Sequence, residues 1–255
     1  MKGDPMATKR SKAAAPKAEY SKKTQLVNAT ADPTQSLQDF LLTDLQQFTR
    51  EGVYSNTASK DFHLFYVGRD NVHEILKYVL SRTSVSLYLN MFGYDDEELN
   101  DIIMEKINDP AVTVMITLDQ SQAGGVHEKA LLDRDRNGDL ANFNSHVVVG
   151  QSATHQISHT KGFVSDGKVG GEGSVNWSAS GEGEFPAGAW QVTGVNPPAG
   201  PVSGIKGYKA QNNTQSIFTD ADTINRFQTE LVAEHVIAQK QAAADAIKKA
   251  SAGRK

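Results

Sequence analysis

Three observations predict an α/β protein with a mixed, largely parallel β-sheet flanked by helices on both faces. Between residues 62 and 118, short runs of β-forming residues alternate with runs carrying apolar residues at helical spacing. The run 84–91 is dense in Val and Leu, as a strand covered on both faces requires. A chain of 255 residues and 27.6 kDa is long enough to bury such a sheet.

Each element follows from local pattern. Residues 1–35 are rich in Lys, Ala, Thr and Pro and read as a basic disordered tail. From Ser36, Leu37, Phe40, Leu41, Leu45 and Phe48 recur at helical spacing, and Gly52 closes a predicted packing helix. Strands are expected over 62–67, 84–91 and 112–118, and helices over 71–82 and 97–108. Strand, helix, strand, helix, strand predicts parallel strands joined by right-handed crossovers. Asp95 to Glu98 reads as the acidic start of the second helix, where the helix dipole favours negative charge. Residues 145–149 form a short apolar strand, and 214–219 another. Asp220 caps a long helix from 221 to about 250, with Ile224, Phe227, Leu231, Val232 and His235 on its buried stripe. The Gly- and Pro-rich stretch 180–211, which contains Phe185, Trp190 and Tyr208, reads as a substrate-facing lid or a surface insertion. The catalytic domain is thus 36–239, followed by a basic Ala/Lys-rich helical tail over 240–255.

The chemistry concentrates between His159 and Ser178. On a strand, His159 and Lys161 would share a face, Asp166-Gly167 would form a tight turn, and Ser174 and Asn176 would return beside the first pair. One imidazole, one ammonium, one hydroxyl and one amide suit a phosphoryl group, whose oxygens need several donors and whose phosphorus needs one nucleophile. Two similar patterns are set aside. His127, Lys129 and Asp133 imitate the first part of the cluster, but lie in a helical pattern where residues two apart diverge by about 200°. Asp133 to Asp139 matches half of an EF-hand calcium loop, yet its ninth and twelfth positions are Ala141 and Asn144, so calcium binding is not expected.

Composition narrows the class. Zero cysteines exclude disulfides, Cys-based zinc sites and thiol catalysis. With neither a secretory signal nor an apolar run of spanning length, a cytoplasmic setting is expected, without a transmembrane segment. The net charge of −4 hides an asymmetry. Residues 1–24 hold seven basic and two acidic side chains, residues 240–255 five and one, and the body between them 14 and 27. Basic tails suit a phosphate polymer, whereas the acidic body argues against a broad basic groove.

His159, Lys161, Asp166, Gly173, Ser174 and Asn176 reproduce a known spacing: His-x-Lys, four residues, Asp, six residues, Gly-Ser-x-Asn. At these positions the chain resembles the phospholipase D superfamily, and its size and single motif resemble the bacterial nonspecific endonuclease branch. The resemblance implies a phospholipase D-like domain and a phosphodiesterase that works through a phosphohistidine, with neither metal nor cofactor. It implies that two motifs share one site, so a single-motif chain would act as a homodimer with both His159 residues at the axis. His159 would be nucleophile in one protomer and acid in the other. Lys161 and Asn176 would hold phosphate oxygens, Ser174 would add a hydroxyl, and Asp166 would fix the hairpin. Trp177 and Trp190 are candidate substrate contacts. Many members carry a Glu on the strand after the motif, where this chain has Asn212 or Asn213, with Gln215 just beyond. A nuclease is the expected activity. The alternatives are phospholipase or phosphatidyl-transferase activity on lipid head groups, and a nucleic-acid-binding protein without turnover.

Overall fold

A computed structural model describes residues 36–119, 125–137, 145–150, 158–183 and 211–252. The tail 1–35, most of the calcium-like loop and the insertion residues 184–210, Trp190 included, lie outside the described residues.

Seven strands form one sheet: β1 (Phe62–Tyr66), β2 (Ser86–Met91), β3 (Thr113–Asp119), β4 (Ser145–Gly150), β5 (Lys161–Ser165), β6 (Val169–Gly173) and β7 (Thr214–Phe218). Their order is β1-β7-β6-β5-β2-β3-β4. The helices are α1 (Val72–Ser81), α2 (Glu97–Asn108), α3 (Val126–Asn137), α4 (Ala179–Glu182) and α5 (Ala221–Ala252).

The sheet is mixed, and its parallel pairings are β2 with β3 and β3 with β4. The pairs β1–β7, β7–β6, β6–β5 and β5–β2 are antiparallel. Expecting all three of the first strands to be parallel neighbours is therefore corrected at β1. It runs in the direction of β2 but lies on the far edge, because the β5–β6 hairpin and β7 take the places between them.

Helices cover both faces, as side-chain alternation along β5 makes plain. Phe163 joins the large core with Ile75, Leu76, Leu99 and Ile103 of α1 and α2, while its neighbour Val164 packs with Phe218, Ile224 and Leu231 under α5. Asn71 caps α1 by accepting the Glu74 N–H at 3.3 Å, and Asp96 caps α2 by accepting that of Leu99 at 2.7 Å. On α5, Ile224, Leu231, His235 and Ala238 are buried, and beyond residue 239 the helix is exposed on nearly all sides.

The helix expected between Ser36 and Gly52 is instead two 3-10 turns, Leu37–Asp39 and Leu42–Phe48. Phe40 and Leu41 between them are extended, and the Asp44 carboxylate accepts the Leu41 N–H at 3.0 Å, restarting the chain there. Leu37, Leu42 and Leu45 are buried while Leu41 is 63 % exposed, so the apolar spacing serves a broken segment. Gly52 ends it at positive φ.

Candidate functional site

Strands β2, β3 and β6 run in one direction and leave the sheet at the same end at which β5 enters it. This carboxyl end of the parallel strands is where α/β sheets commonly place ligands. The chain entering β5 is pinned from several sides. Asp119 at the end of β3 accepts the Ser158 N–H at 2.7 Å, and the Ser158 hydroxyl donates to Asn90 Oδ1 on β2 at 3.3 Å. The Phe92 N–H donates to the Thr160 carbonyl at 3.2 Å, and the Thr160 hydroxyl reaches Glu234 of α5 at 3.4 Å.

His159 and Lys161 frame this entrance. His159 lies before β5 rather than on it and is exposed, whereas Lys161 opens the strand and is 3 % exposed. Of the two only Lys161 is on the strand, yet both side chains turn to the Phe92 ring: the imidazole leans on it, with ring centroids 4.6 Å apart. Lys161 Nζ donates to the His159 carbonyl at 2.7 Å and lies 4.9 Å from the centre of the Phe92 ring. Burial pushes the Lys161 ammonium below the usual lysine range, and the carboxylates of Glu172 and Asp119 oppose that shift. A buried cation anchored to a backbone carbonyl is suited to an anionic ligand.

The hairpin turns as the sequence predicts. Asp166 and Gly167 both have positive φ, 54° and 61°, the pattern of a tight hairpin turn. The Asp166 carboxylate accepts the backbone N–H groups of Ser84, Val85 and Ser86 at 3.1, 2.8 and 2.9 Å. It therefore stitches the hairpin to the start of β2, at the opposite end of β5 from Lys161.

The return strand ends at Gly173, so Ser174 and Asn176 diverge. The Ser174 hydroxyl accepts the Thr214 N–H at 3.0 Å and donates to Asn213 Oδ1 at 3.1 Å, which turns it toward β7. Asn176 turns the other way, toward the loop after β2: a Cβ added at Gly93 would lie 2.9 Å from its Cγ. Asn176 Oδ1 is buried without a hydrogen-bond partner among the described residues. His159, Lys161 and Asn176 thus gather around the Phe92-Gly93 loop, while Ser174 belongs to the β6–β7 seam.

Trp177 is corrected as a substrate contact. It is 1 % exposed, packed beside Tyr94 and Phe163, so its ring is core. Asn213, at the expected Glu position, has its amide engaged by Ser174, by the Gly181 carbonyl at 2.9 Å and by Gln211 at 3.1 Å. Asn212 is exposed, and Gln215 is buried with its amide donating to the Ser216 carbonyl at 3.1 Å.

His127 lies on α3, its Nε2 3.8 Å from Asp95, in agreement with its helical reading. Asp133 to Asn137 continues that helix, and the remainder of the calcium-like loop is outside the described residues.

Sequence reasoning missed a second cluster. His73 of α1, 6 % exposed, places Nδ1 2.5 Å from Glu182 of α4 and 3.6 Å from Asp96, and Nε2 3.2 Å from Glu98. Lys77 bridges Glu98 and Glu74 at 2.6 and 2.8 Å. Burial alone would lower the His73 pKa, but the hydrogen bonds to Glu182 and Glu98 and the charges of Glu182 and Asp96 outweigh it and raise it to about 10. The bond to His73 and those to Lys77 hold Glu98 down to about 2, against its own partial burial. Glu182 sits in Gly181-Glu182-Gly183, which reads as loop, so no periodicity marked it.

No protein-family model matches the sequence, and no curated protein does. Among solved structures the chain is similar to Nuc from Salmonella typhimurium, a phospholipase D family member, at 13 % identity and a TM-score of 0.45, over 68 % of this chain and 92 % of that one. It is similar to NucT from Helicobacter pylori at 15 % identity and a TM-score of 0.47, over 68 % and 94 % of the two chains. A phosphatidylserine synthase from Haemophilus influenzae aligns at 12 % identity and a TM-score of 0.45, over 71 % of this chain and 37 % of that one. None of the described helices is long and apolar enough to cross a membrane.

Proposed function

We propose that this protein is a phosphodiesterase that cleaves nucleic acid through a phosphohistidine at His159, with two copies facing one another across the site. The observation that carries this reading is the pairing of an exposed imidazole with a buried, anchored ammonium at the carboxyl end of the sheet. An exposed imidazole can reach phosphorus; a Lys161 held by Phe92 and the His159 carbonyl can neutralise a phosphate oxygen without prior reorganisation.

The chemistry balances with histidines alone. A neutral His159 imidazole attacks phosphorus, and the bond from phosphorus to the leaving oxygen breaks. That oxygen takes its proton from a protonated imidazole, the role assigned to His159 of the second copy. The second imidazole, now neutral, deprotonates a water that displaces the first histidine from phosphorus. One motif supplies one such histidine, which is why the site needs a second copy. Lys161 and Asn176 hold the phosphate oxygens; Ser174 and Asp166 shape the hairpin that carries them. The basic tails favour a nucleic-acid polymer over a lipid head group.

The test is a substrate panel. Wild type and His159→Ala are incubated with single-stranded DNA, duplex DNA, RNA and phospholipid vesicles in the presence of chelator. The proposal expects cleavage of at least one nucleic acid by wild type, a loss of at least ~1,000-fold in His159→Ala, and an acid-labile phosphoryl adduct on wild type. Head-group release from vesicles with the polymers intact would move the site to lipid chemistry. Equal activity in the two proteins would remove His159 from it.

A further inference from the structure

The cluster around His73 lies directly behind the chain segment that carries Asn176. Glu182 ends α4, and its N–H donates to the Ser178 carbonyl at 2.9 Å. The Ser178 N–H donates in turn to the Asn176 carbonyl at 2.9 Å, and the Ser178 hydroxyl accepts the Gly181 N–H at 3.1 Å. Gly181 packs so closely on the Asn176 carbonyl that a Cβ there would collide with it. Residues 176–182 are therefore one compact unit. The Trp177 N–H to the Gly93 carbonyl at 2.9 Å and the Asp95 N–H to the Trp177 carbonyl at 2.6 Å join it to the loop after β2.

What fastens the far end of that unit is a matter of proton count. His73 presents Nδ1 to Glu182 and Nε2 to Glu98. A neutral imidazole has one N–H, so one of its two nitrogens would then face a carboxylate lone pair to lone pair. Only the imidazolium donates to both. A cation ligated by the same atoms is disfavoured by the distances. His73, Asp96 and Glu182 place their ligating atoms within 4.8 Å of one another. However, two ligands at ~2.0–2.2 Å from one tetrahedral ion stand ~3.3–3.6 Å apart, and Nδ1 and Glu182 stand closer than that, at hydrogen-bond distance.

We propose that His73 and Glu182 are positioning residues: a buried imidazolium, clamped between Glu182 on one side and Glu98 on the other, ties α4 to α1 and α2 and so sets where Asn176 stands. Asp96, at the start of α2, adds a third carboxylate, and Lys77 with Glu74 on α1 completes the charges around the ring. This rests on reading Asn176 as a phosphate-holding residue.

The experiment has two independent arms in the full chain. In the first, nuclear magnetic resonance of ¹⁵N-labelled histidine follows the His73 ring nitrogens with pH. Both nitrogens should stay protonated at pH 8 in wild type, with deprotonation near pH 10, and Glu182→Gln should bring that transition down by more than one pH unit. The sign follows from a folded pKa raised above the unfolded one: the clamp's stabilisation is full below about pH 6.5 and is lost as pH rises through about 10. Titration of wild-type His73 in the ordinary histidine range, or loss of its ring proton on addition of stoichiometric zinc at pH 7, would overturn the proposal.

The second arm compares backbone amide exchange over 176–182 at pH 7 in wild type, Glu182→Gln and His73→Gln. Protection should fall about tenfold in both variants while 161–165 is unchanged, and KM for the cleaved substrate should rise about tenfold with kcat within threefold. Unchanged protection in both variants, or a fall in kcat with KM constant, would overturn it. Neither the titration nor the exchange depends on turnover. A protein that cleaves nothing in the substrate panel would refute the proposed function and leave the clamp tested.

Discussion

The two ends of the β5–β6 hairpin are built in opposite ways. At the turn, the Asp166 carboxylate accepts three successive backbone N–H groups from the chain entering β2, so its acceptor capacity is spent within the fold. At the open end, His159 is exposed, Asn176 Oδ1 is buried without a partner among the described residues, and the Lys161 ammonium donates to the His159 carbonyl beside the Phe92 ring, with the Glu172 and Asp119 carboxylates acting on it. One sequence motif therefore contains two kinds of residue. Saturated polar groups hold the hairpin in register, and the proposed function assigns the unsaturated ones to substrate.

The largest expected effects come from exchanging damage between those ends. His159→Ala should abolish at least ~1,000-fold of turnover while leaving the thermal midpoint unchanged, because an exposed ring contributes little to the core. Asp166→Ala should do the reverse. The exposed N–H groups of Ser84 and Val85 and the half-buried one of Ser86 lose an ionised acceptor, which costs about 2 kcal/mol of unfolding free energy, read by urea denaturation. Turnover per folded molecule should stay within about threefold. A large catalytic loss in Asp166→Ala without loss of stability would place the carboxylate in the chemistry and collapse the contrast.

A smaller effect is expected at Gly93. Any Cβ there would press on the Asn176 side chain at 2.9 to 3.1 Å, so Gly93→Ala should displace the amide by a few tenths of an ångström or more. Steady-state kinetics should show KM raised about tenfold with kcat nearly intact if Asn176 holds a phosphate oxygen as proposed, since the substitution moves its amide and leaves His159 alone. Unchanged KM would detach Asn176 from substrate binding.

This contrast also marks what the sequence could convey. The motif spacing located the hairpin, and Asp166-Gly167 its turn, because turn chemistry is local. Strand order was beyond it. β1 lies beside β7, 148 residues on from Tyr66 to Thr214, and no local pattern encodes which edge a strand will occupy. Alternation likewise placed Ser174 beside Lys161, but the strand stops at Gly173 and Ser174 pairs with β7 instead. Trp177 read as a site residue since it lies inside the motif; its burial against Tyr94 and Phe163 is a tertiary fact. His73 and Glu182 were invisible for the same reason: they are 109 residues apart, and neither stands in a motif.

The smallest expected effect concerns Asn213, where the resemblance called for a carboxylate. An acid there would be read as an improvement if the position oriented the catalytic imidazole. The structure gives it other work. Its Oδ1 accepts the Ser174 hydroxyl, and its Nδ2 donates to the Gly181 carbonyl and to Gln211. A carboxylate keeps the first contact and turns the other two into oxygen facing oxygen. Asn213→Asp should therefore lower stability by about 1–2 kcal/mol, the cost of one half-buried donor lost and two acceptors opposed. It should leave the rate no higher than wild type at any pH between 6 and 9. A gain in kcat would mean that Asn213 reaches His159 in the assembled site. The seam it now closes, between β6, β7 and α4, would then be secondary to catalysis. Loss of stability without gain in rate assigns the amide to that seam, on the saturated side of the hairpin.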